Sequence, residues 1–93
     1  MAVITIDDLA KNIHDYSAIV SALYLTAEDL NIEPNASPLT NFRDALNHYR
    51  CAYEHKGSTD DYIRECASIQ EHLTRGLRDV IISIANILQQ SIY

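Results

Sequence analysis

Glycine and proline are scarce in this chain of 93 residues, which contains only two of each. So few turn-forming residues exclude a disordered or loop-rich chain, and they exclude a fold of many short strands joined by tight turns. A chain of this length forms one domain. We therefore expect a single all-α domain.

Basic residues are also few. The chain carries seven lysines and arginines against 13 acidic residues, which gives a net charge of −6. A general nucleic-acid binder needs a basic surface to displace counterions, so the composition excludes that class. The charge is unevenly divided, because residues 1–37 hold six acidic side chains and one lysine, whereas residues 38–93 hold seven acidic and six basic side chains.

Cysteine and long apolar runs are the remaining absences. Cys51 and Cys66 are the only cysteines, neither belongs to a CxxC pair, and no charged-then-apolar leader opens the chain. We therefore expect a reduced protein in the cytoplasm. The longest apolar stretch, from Val80 to Leu88, is broken by two polar residues and is too short to cross a bilayer, so we expect no membrane insertion.

The first predicted helix spans residues 6–30. Thr5 is a suitable N-cap with Asp8 three residues later, as in a capping box, and the segment from Asn31 to Ser37 ends the helix. Its apolar residues alternate in steps of three and four, a spacing typical of helices packed at shallow angles in a bundle. These residues are Ile6, Leu9, Ile13, Tyr16, Val20, Leu23, Ala27 and Leu30.

The same spacing predicts two further helices, over residues 38–56 and 59–92. Ser37 would cap the second helix, Gly57 would close it in the left-handed conformation, and Ser58 or Thr59 would cap the third. The apolar positions are Leu39, Phe42, Leu46, Tyr49 and Tyr53 in the second helix, and Ile63, Cys66, Ile69, Leu73, Leu77, Val80, Ile84 and Ile87 in the third. We predict a three-helix antiparallel bundle.

The third helix is longer than the other two, about 50 Å against about 39 and about 28 Å. It either bends at Gly76 or projects beyond its neighbours. After Gly76 its apolar residues cover most of the circumference, and a helix that is apolar nearly all round must be buried all round. Two shorter helices cannot do this, so we expect a homo-oligomer. The predicted interface residues are Val80, Ile81, Ile84, Ile87, Leu88 and Ile92.

A histidine followed four residues later by a very small residue occurs once in each of the last two helices. The pairs are His48 with Ala52 and His72 with Gly76. Small residues let antiparallel helices approach closely, so the pattern favours a close crossing of these helices. A histidine at such a boundary is usually a structural residue.

A zinc site is the alternative for the histidines of the second helix. His48, Cys51 and His55 follow helical spacing, and zinc binds such ligands when they converge tetrahedrally. Cys51 lies beside core positions, however, where cysteine usually acts as a small hydrophobic residue. We expect no metal and no cofactor.

An anion site is predicted where the second helix begins. Folding this helix back on the third through Gly57 places Arg43 opposite His72 and Arg50 opposite Glu65. The free N–H groups of a helix N-terminus and nearby guanidinium groups suit an anion. The alternative is that the arginines neutralise the acidic first helix. The candidate ligand-binding residues are Thr40, Asn41, Arg43, His72, Arg75 and Arg78.

Residues 43–48, with the sequence RDALNH, resemble the motif of the HEPN ribonuclease family, which has an arginine, a polar residue, three further residues and a histidine within a helix. In that family the arginine and the histidine lie at a dimer interface and act on the scissile phosphate. The histidine is a general acid or base and the arginine stabilises charge. The resemblance implies a ribonuclease that uses Arg43 and His48.

The helices that carry both histidine and arginine also look somewhat like small helical modules of prokaryotic antiviral defence, including effectors that sense cyclic oligonucleotides. An acidic surface, an oligomerising helix and a local arginine cluster suit a small polyanionic ligand. We therefore predict a non-enzymatic, oligomeric helical binding module, with sensing of a small anionic nucleotide as its most concrete form. The HEPN ribonuclease, and a small acidic phage protein that docks on and inhibits a host complex, are the alternatives.

Overall fold

Three α-helices make up the computed structural model of the protein, which describes residues 5–57 and 59–92, with side chains as far as residue 90. They are α1 (Ile6–Asp29), α2 (Ser37–Glu54) and α3 (Thr59–Ile92). The described residues include no strand, so the predicted all-α, three-helix bundle is confirmed. Within the same residues, no helix has the length and apolar character that crossing a membrane requires. The cap considered at Ser58 lies outside the described residues.

The start and end of α1 follow from its sequence. Thr5 Oγ1 accepts a hydrogen bond from the Asp8 N–H at 3.2 Å, and Asp8 Oδ2 accepts one from the Thr5 N–H at 3.2 Å, so the capping box is confirmed. After α1, Asn31 adopts a left-handed backbone conformation with φ 54°. This conformation breaks the helical hydrogen-bonding pattern and turns the chain toward α2.

The start of α2 differs from the prediction. The helix begins at Ser37 itself, so Ser37 is not its N-cap, and Ala36 at that position makes no side-chain cap. The Ser37 N–H donates to Asn35 Oδ1 at 2.9 Å, while the Ser37 hydroxyl donates to the Asp79 carboxylate on α3. The left-handed conformation predicted at Gly57 is also wrong, since no described glycine has a positive φ.

Consecutive helices are antiparallel, so α1 and α3 run in the same direction. The start of α1 meets the start of α3, where the Ile6 N–H donates to the Tyr62 hydroxyl at 2.8 Å. The start of α2 lies beside Asp79, far along α3, and its later turns lie beside Glu65. This topology gives α1 and α3 a shared groove.

The core side of α3 is a single seam of residues in steps of three and four: Cys66, Ile69, Leu73, Gly76, Val80, Ser83 and Ile87. Three core positions predicted from the sequence are wrong, because Ile63, Leu77 and Ile84 are exposed by 42%, 39% and 43%, while Gly76 and Ser83, which were not predicted, are buried. Val80 and Ile87, which were predicted to form an oligomer interface, are buried within the single chain and belong to its core. The side chain of Ile92 lies outside the described residues.

The core side of α2 is made of small residues. Ala45 and Ala52 are fully buried, whereas the predicted core residues Leu39, Leu46 and Tyr53 are exposed by 43 to 62%. The predicted residues Phe42 and Tyr49 are partly buried against the core, so the prediction for α2 was correct at two positions and wrong at the other three. Alanine at these positions lets the backbones of α2 and α3 approach closely, and the larger side chains then lie at the edge of the contact.

Tyr16 touches all three helices. Its ring lies against the backbone of Gly76, where an added Cβ would stand 2.6 Å from Tyr16 Cζ. Its hydroxyl donates to the Pro38 carbonyl oxygen at 2.5 Å, and its ring packs against Phe42 with 5.7 Å between ring centroids. Gly76 thus provides space for Tyr16.

Gly76 does not interrupt α3. The helix is continuous from Thr59 to Ile92, and the longest dimension of the molecule, 53 Å, is close to the roughly 51 Å of a straight helix of this length. The excess length therefore projects. Because α2 begins beside Asp79, the turns of α3 after that residue have α1 as their neighbouring helix.

Replacing Gly76 by alanine tests the close approach of Tyr16. The new methyl group would collide with the Tyr16 ring, so we expect Gly76→Ala to lower the free energy of unfolding by about 1 to 3 kcal/mol, although alanine favours helix. Gly57→Ala is the control, because a Cβ there meets no atom within 4 Å. Urea unfolding followed by circular dichroism measures both. Equal midpoints for the two variants would contradict the contact.

The buried Tyr16 hydroxyl predicts a loss of stability in strong alkali. Burial, with smaller contributions from Tyr24 and Asp79, raises the pKa of Tyr16 to about 12. In the unfolded chain this phenol ionises near pH 10, so the unfolded state loses the proton first and stability falls between about pH 10 and 12, by about 2 to 3 kcal/mol. Urea midpoints measured from pH 8 to 11 should fall more steeply for the wild type than for Tyr16→Phe. Parallel curves would show that Tyr16 does not contribute.

Candidate functional site

The groove between α1 and α3, on the side away from α2, changes character along its length. Its first half is mixed, with polar side chains beside Tyr16, Ile19, Leu73 and Leu77. Asn12 Nδ2 donates to Gln70 Oε1 at 3.3 Å across the groove, and Gln70 Nε2 donates to Thr74 Oγ1 at 3.3 Å along α3. Asp15 lines the same half, in a recess of about 260 Å³ that extends to Leu77.

The second half of the groove is apolar. It is a recess of about 340 Å³ between α1 and α3 whose lining includes one polar side chain, that of Thr26. Ile19 lines both halves, so the groove is continuous. The residues that line the apolar half are Ile19, Ala22, Leu23, Thr26, Ile84, Ile87 and Leu88.

One row of large apolar side chains on α3 borders this half. The row, which we call the apolar stripe, consists of Leu77, Ile81, Ile84 and Leu88, and each is exposed by between 39 and 68%. Every member follows a buried seam residue by one position, and the spacing of four, three and four keeps the stripe on one side of the helix. The equivalent positions earlier in α3 are Gln70 and Thr74, so the same side of the helix is polar before Leu77. Three of the predicted interface residues, Ile81, Ile84 and Leu88, lie in the stripe.

A second apolar row lies on α2. Leu39 and Leu46, with Phe42, line an open recess of about 610 Å³ together with Arg43, Asn47 and Arg50. Leu39, Leu46 and Tyr53 stand seven residues apart in single file. This row comes from one helix and has polar neighbours, whereas the groove draws apolar side chains from two helices.

The N-terminus of α2, predicted to hold an anion, lies beside an acidic side chain. The Asp79 carboxylate of α3 accepts a hydrogen bond from the Ser37 hydroxyl and another from Asn41 Nδ2 at 3.5 Å. The side chain of Asp79 is only 19% exposed. A carboxylate is the charge that a helix N-terminus attracts, so Asp79 meets this requirement from within the chain.

The six predicted ligand residues do not converge. Asn41 and His72 meet, with 3.1 Å between Asn41 Oδ1 and His72 Nδ1, whereas Thr40 is exposed. Each of the three arginines pairs with a carboxylate on its own helix. These pairs are Arg43 with Asp44, Arg75 with Glu71, and Arg78 with Asp79.

A row of polar contacts joins α2 and α3. Glu65, His72 and Asp79 recur every seven residues on the side of α3 that faces α2, and the first two meet His48 and Asn41. His48 Nδ1 lies 2.6 Å from Glu65 Oε2, and the rings of His48 and His72 stack with 5.3 Å between centroids. The predicted pairing of Arg50 with Glu65 is wrong, because Arg50 bonds to Glu54 of its own helix. The seven-residue recurrence is the sequence signal by which this row could have been found.

The two residues of the HEPN-like motif line different recesses. His48 lines an open recess of about 450 Å³ that also includes Arg50, Cys51, Glu65 and His72. Arg43 lines the recess beside Leu39 and Phe42 instead. Within one chain, the arginine nearest to His48 in its recess is therefore Arg50, and His48 is already held by a carboxylate.

The geometry of His48 and His72 disfavours binding of one metal ion by both rings. A metal ion lies in the ring plane of each histidine that binds it, and rings stacked 19° from parallel have no common point near both. Cys66 is buried, and burial raises the pKa of its thiol, which disfavours the thiolate that metals bind. The described residues contain no group of three or more histidine, cysteine or acidic side chains that would suit a metal ion.

No protein-family model, curated protein or solved structure matches this chain.

Replacing Asp79 tests whether the start of α2 is stabilised from within the chain. Asp79→Ala removes two hydrogen-bond acceptors and a favourable charge near the N-terminus of α2, so we expect a loss of about 1 to 2 kcal/mol in the free energy of unfolding. Glu71→Ala, which breaks an exposed pair on the same helix, should cost less than about 1 kcal/mol. Urea unfolding of both variants measures the difference, and equal losses would contradict the role given to Asp79.

Proposed function

We propose that this chain is a non-catalytic helical docking module whose α1/α3 groove receives one or more helices of a partner. The observation that carries the proposal is the change along the groove from a half that includes Asn12, Asp15 and Gln70 to a half in which Thr26 is the one polar lining residue. Single exposed apolar side chains are common on protein surfaces, but a contiguous apolar patch with a polar border is typical of an interaction site. An exposed apolar recess between two helices is the usual receptor for the apolar side of another helix.

Covering the groove would contribute a substantial favourable free energy to association. Fully burying an isoleucine or leucine side chain contributes about 1.5 to 3 kcal/mol, and the stripe residues are about half exposed, so each has about 1 kcal/mol still to gain. Ile19 adds to this from α1, where it is 42% exposed. Burial of five such side chains offsets part of the free-energy cost of the entropy lost on association, which suits binding of moderate affinity.

The alternative activities have less support from the geometry. Sensing of a nucleotide at the start of α2 would bring phosphate against the Asp79 carboxylate, and like charges repel. Ribonuclease activity of the HEPN type would need the motif's own arginine, Arg43, beside His48, whereas Arg43 lines the neighbouring recess and pairs with Asp44. Docking requires neither site, since it uses side chains that the fold leaves partly uncovered.

The proposal predicts that a substitution at Ile84 weakens binding of a partner helix and that the same substitution at Ile82 does not. Ile84 and Ile82 are both on α3 and exposed by 43% and 48%, but Ile84 lines the groove and Ile82 lies outside the stripe. The probe is a fluorescent synthetic amphipathic helix with leucine and isoleucine at alternating spacings of four and three. Its fluorescence anisotropy should report binding to the wild type and to Ile82→Glu, with affinity reduced at least about tenfold for Ile84→Glu.

Light scattering on the same samples completes the test, because a groove already filled by another chain would also reject the peptide. A wild type that forms an oligomer, which Ile84→Glu dissociates and Ile82→Glu does not, supports docking at the groove. A monomeric wild type that rejects the peptide contradicts it. An oligomer that is dissociated by Leu46→Glu on α2 and not by Ile84→Glu would move the docking surface to the row of Leu39, Leu46 and Tyr53.

A further inference from the structure

We infer that the partner is a second copy of this chain, related by a twofold axis that runs along the helices, so that α1 of each copy lies against α3 of the other. The inference rests on the proposed docking function and names its partner. It uses the parallel direction of α1 and α3 within one chain. It also uses the charges that border the groove.

Residues of α1 and α3 that face each other across the groove stand at the same height along the helix axes, which we call their level. Asn12 bonds to Gln70, Tyr16 lies against Gly76, and the apolar recess is lined by Thr26 together with Leu88. A twofold axis parallel to the helices keeps these levels, because neither copy is inverted. The apolar half of one groove then meets the apolar half of the other, and polar residues meet polar residues.

Exposed charges at the edge of the groove favour this arrangement. Lys11 precedes Asn12 and so lies level with Gln70 and Glu71, while Asp15 precedes Tyr16 and so lies level with Arg75, about one helical turn from Arg78. When α1 faces α3 of the second copy, Lys11 meets Glu71 and Asp15 comes within reach of Arg78. All four side chains are more than half exposed, and each already pairs on its own helix, Lys11 with Asp15, Glu71 with Arg75 and Arg78 with Asp79, so contact with the second copy would extend these pairs into a network. Positive side chains thus meet negative ones at two levels.

The inverted arrangement lacks this complementarity. A twofold axis perpendicular to the helices places α1 against α1 of the second copy, in opposite directions. With Ala22 near the axis, Asp15 of one copy comes opposite Asp29 of the other, and the symmetry repeats the clash. The excess of acidic residues in 1–37 makes any contact between two α1 helices unfavourable, whereas α3 carries Arg75 and Arg78 on the required stretch.

The same arrangement covers an apolar residue that the chain leaves exposed. Leu25 on α1 is 62% exposed and follows Lys11 by two heptads, so both lie on the same edge of α1. Its level on α3 falls between Ser83 and Leu88, where the stripe residues Ile84 and Leu88 line the groove. Contact with the second copy would therefore bury Leu25 beside the apolar stripe.

Disulfide cross-linking of the full chain distinguishes the two arrangements. In a Cys51→Ser background, with the buried Cys66 retained, Ala22→Cys and Ile81→Cys variants are oxidised separately and after mixing. The inference predicts a covalent dimer mainly in the mixture, because position 22 of one copy lies near position 81 of the other. A covalent dimer from Ala22→Cys alone would establish the inverted arrangement. Ala10→Cys, exposed and outside the groove lining, replaces Ala22→Cys as the control and should give no dimer with Ile81→Cys.

Charge reversal provides the second measurement. Arg78→Glu should weaken self-association at low salt by about tenfold, and adding Asp15→Lys should restore it, since the opposite charges then face each other in exchanged positions. Arg43→Glu on α2, with the same change of charge, should leave the affinity unchanged. A wild type that is monomeric but binds the helical peptide overturns this inference and leaves the docking function standing. An oligomer without the mixed cross-link overturns the arrangement.

Discussion

The contact between Tyr16 and Gly76 sets the geometry on which the rest of the structure depends. Only glycine lets the ring of Tyr16 lie on the backbone of α3, and the phenol then reaches the Pro38 carbonyl at the start of α2. One side chain therefore fixes the separation of α1 and α3, their relative level, and the point at which α2 begins. The groove follows from these three facts. Because α2 begins beside Asp79, it does not cover the last turns of α3, and it packs on the side of α1 and α3 opposite the groove.

Periodicity predicted the three helices and the buried side of α1, but on α2 and α3 it did not separate the buried row from the exposed one. On α3 two adjacent rows are apolar after Gly76, one through Val80 and Ile87 and the other through Leu77 and Ile84, and hydrophobicity alone cannot choose between them. Gly76 determines which of the two rows is buried. Glycine has no side chain, so it does not contribute to an apolar pattern in the sequence. On α2 the same limitation applies to Ala45, since close backbone approach is favoured by small volume and not by hydrophobicity.

The charged residues show a related limit. The sequence identified an arginine-rich second half, but it could not show that Arg43, Arg75 and Arg78 each meet a carboxylate on their own helix, because such pairing depends on rotamers. The polar row between α2 and α3 could have been predicted more easily from the sequence. Glu65, His72 and Asp79 are seven residues apart, so they lie on one side of α3, and polar side chains in such a row can bond across to a neighbouring helix.

The two sides of α3 therefore have different roles. The side toward α2 is satisfied by hydrogen bonds within the chain, among them the contact of Asp79 with the start of α2, and so has little left to offer an anionic ligand. The side toward the groove retains unburied apolar surface whose extent matches the turns that α2 does not reach. An acidic α1 beside an α3 that carries arginine then limits how a second copy can fill the groove. In the proposed dimer, apolar burial would supply the affinity, and the order of charges along the two helices would select the parallel arrangement over the inverted one.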